Sequence, residues 1–469
     1  MLSTGAGLPD SDTNPQLMTQ SSLALYVLRS RVKTKSTQMN AQDTTTNIDN
    51  QRQTQIPDQF VAWIGFDWGH HSHAFAIQDQ SGQRQCGTIP ATSEALHNWV
   101  GQLQNRFGSR PVALAIETNR SGAISALQDF YWLTIYTVNP SSSASFRKTF
   151  KPSGASDDIP DAQILLQLLL SHQDKLRPLI QQDPLTIKLD ALTRTRRQLV
   201  DHTTKLTCQI TSLLRGYFPQ ALEMFGDIDS PLAIDFLSRW PDLISLKAAK
   251  PGSLKRFYYT HNVRNNQLIQ KRLESVKQAL ALTTNQAIVS PSVIKLKAML
   301  GVLRELRKQI TILDREIAIA FHQHPNAHLF RNLPGAGDAL APRLCALFGT
   351  VQELIPDAPT LQKKIGVAPV LEKSGKSAWT HWRWFAPVFM RQTMIEWAGQ
   401  TVQYSRWARV YYRRMAAQGK DHWVILRALA FKWIRVLWKC WATNTIYDEP
   451  KYLRQLHRRK SPNAVYDQE

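Results

Sequence analysis

Between residues 61 and 170 the chain alternates short apolar runs with helical patterns in an order that few folds share. VAWIGFD, residues 61–67, has the pattern of a buried strand and ends in Asp67. HAFAIQD, residues 73–79, reads as a second strand, with Gly69, His70 and His71 in the intervening turn. QCGTI, residues 85–89, follows the Ser81-Gly82 turn as a third. Residues 93–107 carry a helical period, with Leu96, Trp99, Val100 and Leu103 on one face. PVALAIE, residues 111–117, is a fourth strand ending in Glu117. A short helix from Ser121 and a strand LTIYTV, residues 133–138, come next. A polar, basic loop then leads to a helix that starts near Asp158 and runs through ILLQLLL.

The order β-β-β-α-β-α-β-α is that of an α/β RNase H-like fold, in which opening hairpin strands precede alternating α/β units. The rest of the chain changes period. Leu185, Leu189, Leu192, Arg196, Leu199, Thr203, Leu206, Ile210 and Leu213 are spaced alternately by four and three. Leu296, Met299, Leu303, Leu306, Ile310, Leu313, Ile317 and Ala320 repeat that spacing. Two heptad stretches imply an antiparallel coiled-coil hairpin or an ordinary helix bundle. The expected organisation is a disordered leader, 1–57, rich in Ser, Thr, Gln and Asn, and an α/β domain, 58–180. A coiled-coil hairpin, 181–325, comes next, with a small lobe inserted at about 220–262. A mostly α-helical domain, 326–445, and a basic tail, 446–469, that frays complete the chain.

The acidic residues carry the chemistry. In an RNase H-type sheet the strands ending in Asp67 and Glu117 lie side by side, so both carboxylates reach one point at the sheet edge. Asp158 and Asp161 are three apart at a helix start, which puts them on one side of the helix. Four carboxylates converging on one point repel unless a cation sits among them, and an all-oxygen set suits Mg2+, with Mn2+ as the alternative. Two such ions could drive phosphodiester transfer. Each residue also has a plain structural reading: an Asp at a strand end forms turns, and an Asp at a helix start caps it. Asp157 competes with Asp158, since Asp157 and Asp161 would also share a face.

Composition points the same way. Lys plus Arg number 57 against 36 Asp plus Glu, a formal charge of +21 that draws the chain to polyanions, nucleic acid first. The four cysteines, Cys86, Cys208, Cys345 and Cys440, are far apart and form no zinc or disulfide pattern, which fits a reducing cytosol. No uninterrupted apolar run reaches membrane-spanning length, and the N-terminus lacks a secretory signal, so a cytoplasmic, nucleoid-associated protein is expected. Residues 379–441 interleave Trp379, Trp382, Trp384, Trp397, Trp407, Trp423, Trp433, Trp438 and Trp441 with basic side chains. Arg427, Lys432, Arg435 and Lys439 fall on one side of a helix, a stripe suited to a phosphate backbone. The tryptophans are read mainly as core, though such rings can also stack on unpaired bases.

These pieces resemble the DEDD transposases, the RuvC-like recombinases of the IS-one-ten type of insertion sequence, a group that includes the Piv invertases. The resemblance covers about residues 60 to 440. Its motifs stand here as Gly65-Phe66-Asp67, Ala115-Ile116-Glu117 and Asp158-Ile159-Pro160-Asp161-Ala162. Ser156 and Asp157 replace the residues that usually precede the last motif. LPGAGDALAPRL matches the family's Pro-Gly-x-Gly signature; its Gly335 and Gly337 are either backbone donors to a DNA phosphate or a tight helix–helix turn. The resemblance makes Ser374, in IGVAPVLEKSGKS with Lys376 beside it, a nucleophile that holds DNA as a phosphoserine ester. Downstream, Arg391 fits the family pattern, while the usual Gly-Asn pair is missing.

As partners the resemblance implies donor and target DNA, a short structured element-encoded (bridge) RNA as guide, and a homo-oligomer, dimer or tetramer, joined through the helical hairpin. Two other activities fit the residues: an RNase H-like nuclease or junction resolvase that cleaves with water, and a decayed homologue that only binds nucleic acid.

Overall fold

A computed structural model describes residues 60–117, 122–150, 158–375, 377–384 and 386–464. The chain divides into two units at residue 55, and all of the described residues belong to the second, Ile56–Glu469. The expected leader, the helix start at Ser121, the Ser156-Asp157 pair and Lys376 lie outside the described residues.

Five strands form one sheet: β1 Ala62–Asp67, β2 Ser72–Asp79, β3 Arg84–Pro90, β4 Val112–Ile116 and β5 Leu133–Thr137. Their order is β3-β2-β1-β4-β5. β1 runs antiparallel to β2 and parallel to β4, and β4 runs parallel to β5. This mixed sheet with helices on both faces is the α/β arrangement expected of an RNase H-like domain. The two faces differ in side-chain size. Ala62, Ile64 and Phe66 of β1, with Leu114 and Ile116 of β4, pack against helices α1 (Ser93–Phe107) and α2 (Gly122–Leu127). Thr92 caps α1 by accepting from the Ala95 amide, and Gly108 ends it in the left-handed region at φ 63°.

The opposite face is built from small residues. Ala74, Ala76, Ala113 and Ala115 are fully buried there, beneath helix α4 (Asp158–His172). Gly65 makes the closest approach: a Cβ on it would fall inside contact distance of the Ala162 carbonyl oxygen and the Leu166 amide nitrogen. The helix therefore lies directly on β1, and its first turn arrives at the carboxyl edge of the sheet.

The expected basic loop before α4 contains a helix instead, α3 (Pro140–Phe150). Asn139 accepts from the Ser141 amide at its start, and Ser143 is buried. Its sequence, PSSSASFRKTF, has little apolar periodicity, so the hydrophobic pattern could not reveal it.

Two long helices, α5 (Pro184–Tyr217) and, further on, one over Gln286–Gln323, pair antiparallel. Leu189 shares a core with Ile317 and Ala320, and Ile210 and Leu214 share another with Leu296, Leu300 and Leu303. Lys188 pairs with Glu316 at 4.0 Å, and Arg196 with Asp314. The helices between them, α6 (Gln220–Met224), α7 (Pro231–Arg239), α8 (Leu243–Lys247), α9 (Pro251–Thr260) and α10 (Asn266–Gln278), pack around Phe236, Trp240, Phe257 and Tyr258. The inserted helices thus run on past residue 262 to Gln278, because Ile269, Leu273 and Val276 join the same core. The second long helix, α11 (Gln286–Gln323), is, among the described residues, the one helix long and apolar enough to cross a membrane by length and composition. Its buried residues pack on α5 and on the inserted helices, and one face, with Ile294 and Ile319, stays exposed.

The last part is mostly helical: α12 (Ala327–Arg331), α13 (Gly337–Phe348), α14 (Ala358–Ile365), α15 (Val388–Tyr404), α16 (Arg406–Ala417), α17 (His422–Ala442) and α18 (Glu449–Arg458). A hairpin, β6 (Val370–Ser374) and β7 (Ser377–His381), interrupts it. Trp397, Trp407, Trp433 and Trp441 are buried in the centre, so these four are core, whereas Trp379, Trp384 and Trp423 are exposed. The expected frayed tail is corrected by α18. Glu449 accepts from the Ser405 hydroxyl at 3.0 Å and the Arg406 amide at 2.6 Å, Trp407 donates to the Tyr447 hydroxyl at 3.0 Å, and Leu456 is buried. The polar composition of the segment hid these few anchors.

Candidate active site

β1 and β4 end side by side. Phe66 is paired in register with Ile116, so Asp67 and Glu117 leave adjacent strand ends at the same edge. In parallel α/β sheets this carboxyl edge is where ligands bind. The first turn of α4 brings Asp158 and Asp161 to it. Acidic residues there also suit the positive end of the helix dipole.

The electrostatics register the meeting. The Asp67 carboxyl is pushed up to about 6, first by burial and then by the charges of Asp161, Glu117 and Asp158. Glu117 is also raised, by burial and by Asp161, with the Arg147 guanidinium pulling the other way. Arg147 of α3 binds Asp161 at 2.9 Å and lowers Asp67 as well. Asp161 is buried, Asp67 and Glu117 are half-buried, and Asp158 stands exposed at the rim.

The donor set, four carboxylates and no sulfur or imidazole, fits a hard divalent cation. Among the described residues, however, no three His, Cys, Asp or Glu side chains stand close enough to form a ready-made metal cage. The positive charge at this edge comes from the Arg147 guanidinium, which is paired with Asp161. Arg147 was not visible in the sequence as a site residue, because nothing in the pattern of α3 marks it as helical.

Ser374 lies elsewhere in the fold. It ends β6 opposite Ser377, at the exposed tip of the hairpin, where Gly375 takes φ 56°. Among the described residues no hydrogen bond links it to the four carboxylates, and the hairpin packs mainly on itself. Asp67, Glu117 and Asp161 thus stand at one edge of the sheet with Asp158 at its rim, and Ser374 stands on a separate hairpin.

The expected nucleic-acid contacts divide into two kinds. Some are used internally. Gly335 (φ 69°) packs against Tyr404 and Gln400, and Trp397 donates to the Pro334 carbonyl at 3.0 Å, which holds the turn closed. Arg391 and Arg427 flank the Trp382 ring, at 5.3 and 3.0 Å from its centroid, and Arg391 also donates to the Arg383 carbonyl. Lys432 lies over Tyr411 at 5.2 Å. Others are open: Gly337 starts α13 at the surface, and Arg435 and Lys439 are exposed on α17.

A mixed sheet with acidic residues at its carboxyl edge, followed by long paired helices and a basic helical region, is the arrangement expected of a DNA transposase of the DEDD class. The DEDD transposase family model of the IS110 type matches residues 64–219, and the model described as transposase IS116/IS110/IS902 family matches residues 327–413. The chain belongs to the IS110 family of DEDD transposases, enzymes of insertion sequences. It is 26% identical to the "Mini-circle putative transposase for IS117" of Streptomyces coelicolor, over 84% of this chain and 97% of that protein. It is 24% identical to the "Insertion element IS900 uncharacterized 42 kDa protein" of Mycobacterium paratuberculosis, over 82% of this chain and 96% of the other.

Proposed function

We propose that this transposase cuts and rejoins donor and target DNA through two sets of groups, the carboxylates Asp67, Glu117, Asp158 and Asp161 and the hydroxyl of Ser374. The observation that carries the reading is the meeting of Asp67 with Glu117, Asp158 and Asp161 at one sheet edge, where burial first and then these three charges push the Asp67 carboxyl up to about 6. Such a cluster is short of positive charge, and Mg2+ or Mn2+ held by these four residues would neutralise it and help activate the attacking and leaving oxygens.

Ser374 would form an Oγ–P bond to the scissile phosphate. The P–O bond to one deoxyribose breaks, and the leaving hydroxyl takes up the proton. Glu372 and His381 of the same hairpin bind each other at 2.8 Å, and in this reading the tip reaches the carboxylate edge, in its own subunit or in a partner, for its activation. The exposed apolar residues Ile294, Val302, Ile312 and Ile319 of α11 support assembly through a coiled-coil pair of α5 and α11, as a dimer or tetramer. Gly337, Lys376, Arg435 and Lys439 meet the nucleic acid in this reading, while Gly335, Arg391, Arg427 and Lys432 support that surface from within, Gly335 by shaping its turn. An element-encoded structured RNA as guide follows from the family resemblance.

The test is to trap a covalent protein–DNA adduct from element-end DNA and the full-length protein. Ser374→Ala abolishes adduct and recombination together while leaving stability unchanged, since the side chain is exposed. Cleavage that continues without any adduct would replace this reading with a water-using nuclease.

A further inference from the structure

A cavity of about 670 Å³ opens at the base of the serine hairpin, and Lys363, Lys364, Glu372, His381, Arg383 and Trp384 are among the residues that wall it. The size falls within the range of roughly 300–1,000 Å³ typical of small-ligand sites. Its chemistry is two-sided. One wall is aromatic: the Trp384 ring is 70% exposed, and it lies nearly parallel to His381, at 17° with centroids 6.5 Å apart. Leaving a tryptophan this open costs hydrophobic energy that a ligand stacked on it would recover. Trp382 behind it is held rigid between Arg391 and Arg427.

The other wall is cationic apart from Glu372, whose carboxylate is taken up by His381 at 2.8 Å. Among the described residues neither Lys364 nor Arg383 has an ion-pair partner. The buried Nε of Arg383 lacks any hydrogen-bond acceptor among the described residues. Unsatisfied buried donors are costly and call for an acceptor from outside. A planar apolar face beside several unpaired cationic donors matches a nucleobase with its phosphate.

We propose that this cavity binds one unpaired nucleotide of the DNA strand, with the base stacked on Trp384 and the phosphate held by Lys363, Lys364 and Arg383. A base in a duplex could not present its face to Trp384, so the nucleotide must be unstacked. From the cavity to Ser374 is about four strand residues, about 13 Å. That equals about four stacked nucleotides, so the captured base lies within a few nucleotides of the phosphate at the hairpin tip. The distance to the cut rests on the Ser374 reading; the occupancy of the cavity does not.

The test measures binding alone, in metal-free buffer. Anisotropy would compare labelled single-stranded DNA, a duplex with one extrahelical thymidine, a fully paired duplex and single-stranded RNA of equal length. Trp384→Ala should weaken the first two about five- to tenfold or more and leave the paired duplex within about twofold, with Trp384→Phe restoring most of the loss. Trp423→Ala, an exposed tryptophan on α17, serves as control and should change nothing. A 5-bromodeoxyuridine at the extrahelical position should cross-link to the peptide holding residues 381–384. Equal losses on paired and unpaired DNA, no loss from Trp384→Ala, a cross-link elsewhere, or tighter binding of the RNA strand would each overturn the proposal.

Discussion

Arg147 holds Asp161 in an ion pair of 2.9 Å, and its charge also reaches Asp67 and Glu117. One guanidinium from α3 thus serves three carboxylates that come from β1, the end of β4 and α4. It occupies the electrostatic role that a divalent ion would take. Removing it leaves these groups uncompensated, which for a partly buried cluster costs on the order of 1–3 kcal/mol. Arg147→Gln should therefore lower the thermal midpoint of metal-free protein by a few degrees. The variant should also gain more stability from added Mg2+ than the parent does, read by differential scanning fluorimetry with and without Mg2+. Equal Mg2+ gains in both proteins would show that guanidinium and metal do not compete.

Gly65 gives a purely steric prediction. A methyl group there meets backbone atoms of Ala162 and Leu166 that cannot rotate away. Gly65→Ala should push α4 off β1, carry Asp161 away from Asp67, and cost several kcal/mol as an overpacked core substitution. Gly101→Ala, where the added carbon meets nothing, is the control and should be neutral or slightly stabilising. Urea unfolding of both variants separates the two outcomes.

The raised Asp67 carboxyl fixes the sign of a pH dependence. Its ordinary value is 3.8 and its folded value about 6, so the native state holds the proton more tightly than the unfolded chain. The cost of ionising it is fully present above about pH 6 and disappears as the pH falls below about 4. Asp67→Asn removes that cost. Metal-free Asp67→Asn should be more stable than the parent at pH 7.5 by about 1 kcal/mol, a figure reduced for the half-exposed side chain. The difference should close by about pH 4. A gap that widens on acidification would reverse the assignment of the shift to Asp67.

The sheet was legible in the sequence because each strand is a short apolar run bounded by turn residues, and Asp67 and Glu117 stand where those runs stop. The two heptad stretches likewise announce the α5–α11 pair, since the buried residues Leu296, Leu303, Ile310 and Ile317 keep the seven-residue spacing. What stayed hidden depends on contacts between distant segments. Helix α3 rests on a cap at Asn139 and the buried Ser143, and α18 on Glu449 and Tyr447, none of which makes a period. Arg147 looks like any other basic residue until the fold sets it beside Asp161. The close approach that explains Gly65 is likewise invisible until α4 is laid on β1.

If the carboxylate edge, and nothing else in the chain, makes this transposase metal-dependent, then Asp67 is the residue whose loss shows it. The direct measurement is cleavage of element-end DNA by parent and Asp67→Asn protein across a Mg2+ titration, with circular dichroism confirming that the variant is folded. The expected result is Mg2+-dependent cleavage by the parent and a loss of at least a hundredfold in the variant, which remains fully folded. Cleavage by folded Asp67→Asn at the parent rate and with the same Mg2+ dependence would contradict it.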